Sequence, residues 1–189
     1  MSQRLAFSAH SPASAPERSR ALMAAVQQKN GFLPDAVARL AESPHVLATL
    51  LQHFKAFEAT SLSALEREVV TMTVARVHDC HLCIAMHSSL LSAQAADPAL
   101  LEALRAGAAL EDPRLEALAD FTREVLARAG AVGEEARARF LAVGFTPAQA
   151  LEVVLGVAVY TLSTFANRLT EARVDAPLRA FAPSGKGLG

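Results

Sequence analysis

Residues Ser63 to His87 read SALEREVVTMTVARVHDCHLCIAMH, and this stretch decides the fold. Ser63 and Glu66 make the S-x-x-E pattern of a capping box, which predicts a helix from Ala64 to about Val77. Leu65, Val69, Val70, Met72, Val74, Ala75 and Val77 put apolar side chains almost all round it. A helix without a polar face is a central one. A second helix is expected to begin within two residues of Cys80. Cys80 and Cys83 are spaced i, i+3, and Cys83 and His87 i, i+4, so all three share one face of it. The short connection at Asp79 makes the two helices antiparallel neighbours in a bundle.

The same punctuation recurs on either side. Ser43-Pro44, Asp97-Pro98, Asp112-Pro113 and Thr146-Pro147 each pair a capping side chain with proline at the first helical position. Val46, Leu47, Leu50, Leu51, Phe54 and Phe57 follow the first of these at helical spacing. Leu151, Val154, Leu155, Ala158, Leu162 and Phe165 follow the last. A further helix around Leu22 and Val26 is closed by Asn30-Gly31, and Pro34 opens a short segment through Leu40. Seven to nine helices result, with no period-2 alternation anywhere. The expectation is an all-α, multi-helix, single-domain bundle over residues 18–182. A flexible arm is expected at 1–17 and a loose tail at 183–189. Two largely apolar helices, 64–77 and 147–168, are costly for a monomer, so a homo-oligomer with the face of one or the other contributing to its interface is expected.

Composition narrows the function classes. The chain has 189 residues, with Lys+Arg 18 against Asp+Glu 19 and a formal charge of −1. A nucleic-acid binder needs a basic face, so that class is set aside. Hydrophobic residues at 52% against 20% charged exclude a disordered chain. Two cysteines cannot build a disulfide framework. No apolar run is read as approaching the roughly 18 residues that span a bilayer, and residues 1–17 lack the apolar core of a signal peptide. No Gly-rich phosphate loop is present, so no nucleotide cofactor is expected. A cytoplasmic protein without membrane or nucleic-acid partners follows as the expectation.

The chemistry concentrates at the helix hairpin. A helix N-terminus favours thiolate, and His87 lies one turn from Cys83, where an imidazole can take or hold its proton. A dithiol so placed can attack an oxidised substrate with one sulfur and close a disulfide with the other. The competing readings are two small core residues, or a metal site from His78, Cys80, Cys83 and His87. Structural zinc usually draws its ligands from two separated pairs, which one compact segment does not supply. Glu68 lies in an otherwise apolar stripe with Leu65, Met72 and Ala75. Along an unbroken helix it would be about 18 Å from Cys80. If the chain reverses near Asp79, His87 becomes its nearest partner, and a buried carboxylate there orients the imidazole and raises its basicity. Of the other histidines, His10 falls in the arm, His53 at a core edge, and His78 at a helix C-terminus that favours a cation.

The pattern Glu68, Cys80-x-x-Cys83, His87 resembles the alkylhydroperoxidase D-like, peroxidase-related family of the carboxymuconolactone decarboxylase superfamily. Asn30-Gly31-Phe32-Leu33-Pro34, the Leu/Phe-rich helix after Ser43-Pro44, and Phe165-Ala166-Asn167-Arg168-Leu169 resemble it too. The resemblance covers roughly residues 20–170. It implies a peroxidatic Cys83, a resolving Cys80 and a Glu68/His87 proton relay. It also implies a hydroperoxide substrate, an external dithiol reductant, no cofactor and no metal, and a trimer or hexamer. Founding members carry a histidine just before the second cysteine. Here that place is Leu82, and His81 sits about 100° away around the helix. The alternatives are a carboxymuconolactone decarboxylase-type lyase, or a non-enzymatic redox-sensing or metal-binding oligomer.

Overall fold

The computed structural model describes residues 5–183. Among them are nine α-helices, one 3₁₀ helix and no strand. The helices are α1 (Glu17–Asn30), α2 (Asp35–Leu40), α3 (Pro44–Glu58), α4 (Ala64–Val77), α5 (His81–Ala93), α6 (Pro98–Ala106), α7 (Pro113–Ala127), α8 (Glu134–Ala142) and α9 (Pro147–Leu169), followed by a 3₁₀ turn at Ala176–Phe181.

The caps read in the sequence are the caps of the structure. Ser43 accepts from Val46 N, Asp97 from Ala99 N, and Asp112 from Arg114 N and Leu115 N. Ser63–Glu66 and Thr146–Gln149 close as capping boxes. Each such cap is worth about 1 kcal/mol of helix stability. Gly31 ends α1 with φ 78°, a left-handed conformation that glycine adopts without a side-chain penalty. Helix α8 is not announced by its sequence. Its N-cap is Gly133, and only Ala136 and Phe140 are buried. It therefore lacks both a capping side chain and an apolar stripe.

Helix α4 is the centre. Every residue from Val69 to Ala75 is buried, and α5, α7 and α9 all pack against it. Its own chain covers it, leaving only its last residue, Val77, substantially exposed among its large apolar side chains. The bundle itself supplies the partners of α4, which leaves α9 as the candidate of the two helices for a subunit interface. Helix α9 packs on α3, α4 and α7. By length and composition it is apolar enough to cross a membrane, contrary to the sequence reading. Gly156 lets it approach so closely: a Cβ there would lie 2.6 Å from the Phe57 ring and 2.9 Å from Val70 Cγ1. Gly156→Ala is expected to destabilise the fold by about 1–3 kcal/mol through overpacking, despite alanine's better helix propensity. Denaturant unfolding checks this, and an unchanged or raised midpoint would contradict it.

The arm expected to be loose is packed over part of its length. His10 N donates to Ala38 O at 3.0 Å, and its ring bonds Glu42 at 2.7 Å. Arg39 donates to Phe7 O, and Ala15 is buried. These contacts are side chain to backbone or between sparse residues, so apolar periodicity does not reveal them. Of the tail read at 183–189, all but Pro183 lies outside the described residues.

Candidate active site

The site is built where α4 turns into α5. Cys80 N donates to Ala75 O and Asp79 N to Arg76 O, a Schellman-type closure of α4. Asp79 takes the left-handed position, φ 50°, which aspartate tolerates better than most residues. This turn makes Cys80 the N-cap of α5 and places Cys83 in its first turn. Arg168 of α9 donates to His78 O and Asp79 O, both at 2.6 Å, and so pins the turn to the long helix.

The expected residues come together in two pairs. The sulfurs of Cys80 and Cys83 lie 3.0 Å apart, and both thiols are free and almost fully buried. His87 Nδ1 lies 2.8 Å from Glu68 Oε2, across the hairpin. No hydrogen bond joins the pairs directly: His87 is tied to Glu68, and Cys83 accepts from Asn167 Nδ2 at 3.4 Å. The four candidate metal ligands do not converge, because His78 bonds Thr164 and His87 bonds Glu68. His81 turns to Asp79 at 3.3 Å, while Leu82 is buried, so His81 does not take the place of a histidine at 82.

The charge of the thiol pair is unevenly divided. The hydrogen bond from Cys83 lowers the Cys80 pKa to about 7 against the effect of burial. The Cys83 backbone N–H, Asn167 and Arg168 add to the lowering. Cys83 is pushed up by the same sulfur–sulfur bond and by burial. The helix N-terminus thus favours thiolate at Cys80, not at the thiol one turn inside. Thiolate absorbance is expected to rise as pH passes upward through about 7, by one thiolate per chain. In Cys80→Ser that step should move to higher pH. An unshifted step would place the charge elsewhere.

His78 corrects a sequence expectation. Burial lowers its pKa and the Arg168 charge lowers it further, so the neutral form is favoured. Arg168 supplies the cation at the end of α4 instead.

Three residues of α9 were missed as site members. The Tyr160 ring lies edge-on to His87, with centroids 5.2 Å apart. Burial pushes its phenol pKa far up, and the Glu68 and Cys83 charges add to this. Asn167 donates to Cys83, and Arg168 holds the turn. The signal was present: Tyr160, Ser163 and Asn167 are polar-bearing side chains at i, i+3, i+7 on one face of an apolar helix.

Residues 44–124 match the model of the carboxymuconolactone decarboxylase family. No curated protein matches in sequence. Several solved structures match in shape. One is an alkylhydroperoxidase core, an uncharacterized peroxidase-related protein from Ralstonia eutropha JMP134. It has a TM-score of 0.81 and 22% identity, over 91% of this chain and 93% of that one. A peroxidase-related protein from Silicibacter sp. TM1040 has a TM-score of 0.76 and 20% identity, over 92% of each chain. A variant of the debrominase Bmp8, in complex with 2,3,4-tribromopyrrole, has a TM-score of 0.77 and 14% identity, over 96% and 97%. The helix hairpin that carries Glu68, Cys80, Cys83 and His87 lies inside the segment that matches the family model, and the chain has the fold of these alkylhydroperoxidase-like, peroxidase-related structures.

Proposed function

We propose that the protein is a thiol-dependent peroxidase that reduces hydroperoxides through Cys80 and Cys83. The observation that carries this reading is the pair of free thiols 3.0 Å apart at the start of α5. The match of residues 44–124 to the family model and the likeness to peroxidase-related structures support a peroxidase-related or decarboxylase-like role. A lyase would use the Glu68–His87 acid–base pair but would leave the dithiol idle.

In the proposed cycle the proton of Cys83 passes to the Cys80 thiolate along their shared hydrogen bond. Cys83 then attacks the peroxide oxygen. The O–O bond breaks, Cys83 becomes a sulfenic acid, and the alkoxide leaves with a proton from the His87 side of the site. Glu68 orients His87 through their 2.8 Å contact. The Cys80 sulfur then attacks the sulfenic sulfur, and the proton it took from Cys83 leaves with the expelled hydroxide as water, closing the disulfide. An external thiol reductant returns the pair to the dithiol. The decisive experiment is hydroperoxide turnover with dithiothreitol as reductant. Consumption no faster than that of Cys83→Ser would sink the proposal.

We also propose that the protein is a homo-oligomer, with the outer face of α9 in the interface. Leu151, Val154, Phe165 and Leu169 lie 72%, 43%, 57% and 62% exposed along it. Such a stripe is costly to leave in water. Light scattering at micromolar concentration should report a multiple of the chain mass, lowered in Leu151→Glu/Phe165→Glu. A wild-type monomer would end this idea.

A further inference from the structure

A cavity of about 710 Å³ opens over Cys80, between the α4–α5 turn, the end of α9 and the 3₁₀ turn. Its volume is within the range of sites that hold drug-sized ligands. Three features of its lining stand out. Cys80 is part of the wall. Asn167, 6% exposed, also lines it, and its Oδ1 is buried without a protein partner. A buried acceptor of this kind costs free energy unless a donor reaches it. The third feature is charge. Arg168, Arg173 and Arg179 line the cavity together with Asp79 and Glu171. Asp79 is already engaged by Arg168 and His81. Among the described residues, neither Arg173 nor Arg179 has a carboxylate partner within salt-bridge distance. The cavity therefore offers cationic groups, a free acceptor and a redox-active sulfur in one space.

We propose that this cavity is the docking site of a small-molecule thiol reductant that bears a carboxylate, with the carboxylate on Arg173 and Arg179 and an N–H donor on Asn167 Oδ1. This rests on the dithiol reading above and adds the class of its reductant. The reductant thiolate attacks Cys80 of the Cys80–Cys83 disulfide, and a mixed disulfide forms on Cys80. Cys83 leaves as thiolate, accepts the Asn167 hydrogen bond and takes up a proton. A second reductant thiolate then attacks the reductant's own sulfur and releases the Cys80 thiolate. Two thiols are oxidised to one disulfide, and the protein pair is reduced. The low pKa of Cys80 makes it a good leaving group in the second step.

The test uses the full chain with its pair oxidised by diamide, so that peroxide plays no part. Glutathione and its diethyl ester are compared anaerobically at equal thiolate concentration, with free thiols counted by mass spectrometry. Glutathione should be faster by about tenfold at low salt, the size of effect expected from a charge-assisted carboxylate–arginine contact. Arg173→Gln/Arg179→Gln should bring the two reductants to the same rate, and so should raised salt. In Cys83→Ser, glutathione disulfide should load glutathione onto Cys80. Equal rates in the wild type, or a preference untouched by the double variant, would overturn the proposal. A second arm oxidises the reduced pair with a fatty-acid hydroperoxide and with its methyl ester. A carboxylate preference found only there assigns the cavity to the oxidant and overturns it too. Failure of peroxide to oxidise the pair at all would refute the peroxidase reading while leaving the reductant comparison readable.

Discussion

Cys80→Ser is expected to abolish peroxide turnover while leaving one oxidation of Cys83 per chain. The two sulfurs are 3.0 Å apart, so Cys80 is placed to meet a sulfenic acid on Cys83 before any external thiol reaches that buried site. Serine cannot resolve the sulfenic acid. Mass spectrometry after peroxide treatment should then find sulfenic or over-oxidised Cys83. The first oxidation should also slow, because the variant loses the thiolate that accepts the Cys83 proton. Cys83→Ser should show neither turnover nor rapid peroxide consumption. If Cys83→Ser instead keeps a normal first oxidation and carries it on Cys80, the roles of the two sulfurs are exchanged. The uneven charge of the pair makes this experiment decisive, since Cys80 is the more acidic thiol and Cys83 the proposed attacker.

His87→Ala should slow peroxide reduction by about 10²–10⁴-fold, the range for loss of a positioned acid–base group. Glu68→Gln should cost less, because the amide keeps the shape and can still hold one hydrogen bond to His87, weaker than the charge-assisted one it replaces. The ordering follows from the 2.8 Å contact between Glu68 and His87 and from the absence of a direct hydrogen bond from His87 to either sulfur. In the proposed cycle His87 therefore acts on the leaving alkoxide through substrate or water, and Glu68 through His87. Glu68→Gln should lower the rate of the first oxidation with the unfolding midpoint unchanged, whereas a purely structural role for Glu68 would lower stability instead. Equal rates for wild type and His87→Ala would remove the relay from the mechanism.

The helices were legible because their signals are local. Ser43, Ser63, Asp97, Asp112 and Thr146 act within three residues of themselves, so reading them needs no knowledge of the fold. The Cys80, Cys83 and His87 spacing was legible for the same reason. Glu68 was legible one step further, since a reversal at Asp79 leaves few partners for a carboxylate in that apolar stripe. Helix α8 was not legible, having neither a capping side chain nor a buried stripe.

The sequence by itself therefore determined the helical class, the caps, the central place of α4 and the residues of the hairpin. Only the tertiary structure decided how α9 meets that hairpin. It brings Tyr160 to His87, Asn167 to Cys83 and Arg168 to the turn across 73 to 90 residues of chain. It also decided which thiol holds the charge. Helix periodicity treats Cys80 and Cys83 as equivalent members of one face. Their difference comes from depth: Cys80 caps the helix beside Arg168, while Cys83 is buried one turn inside. Desolvation and long-range charge act through space, and spacing along one helix does not encode them.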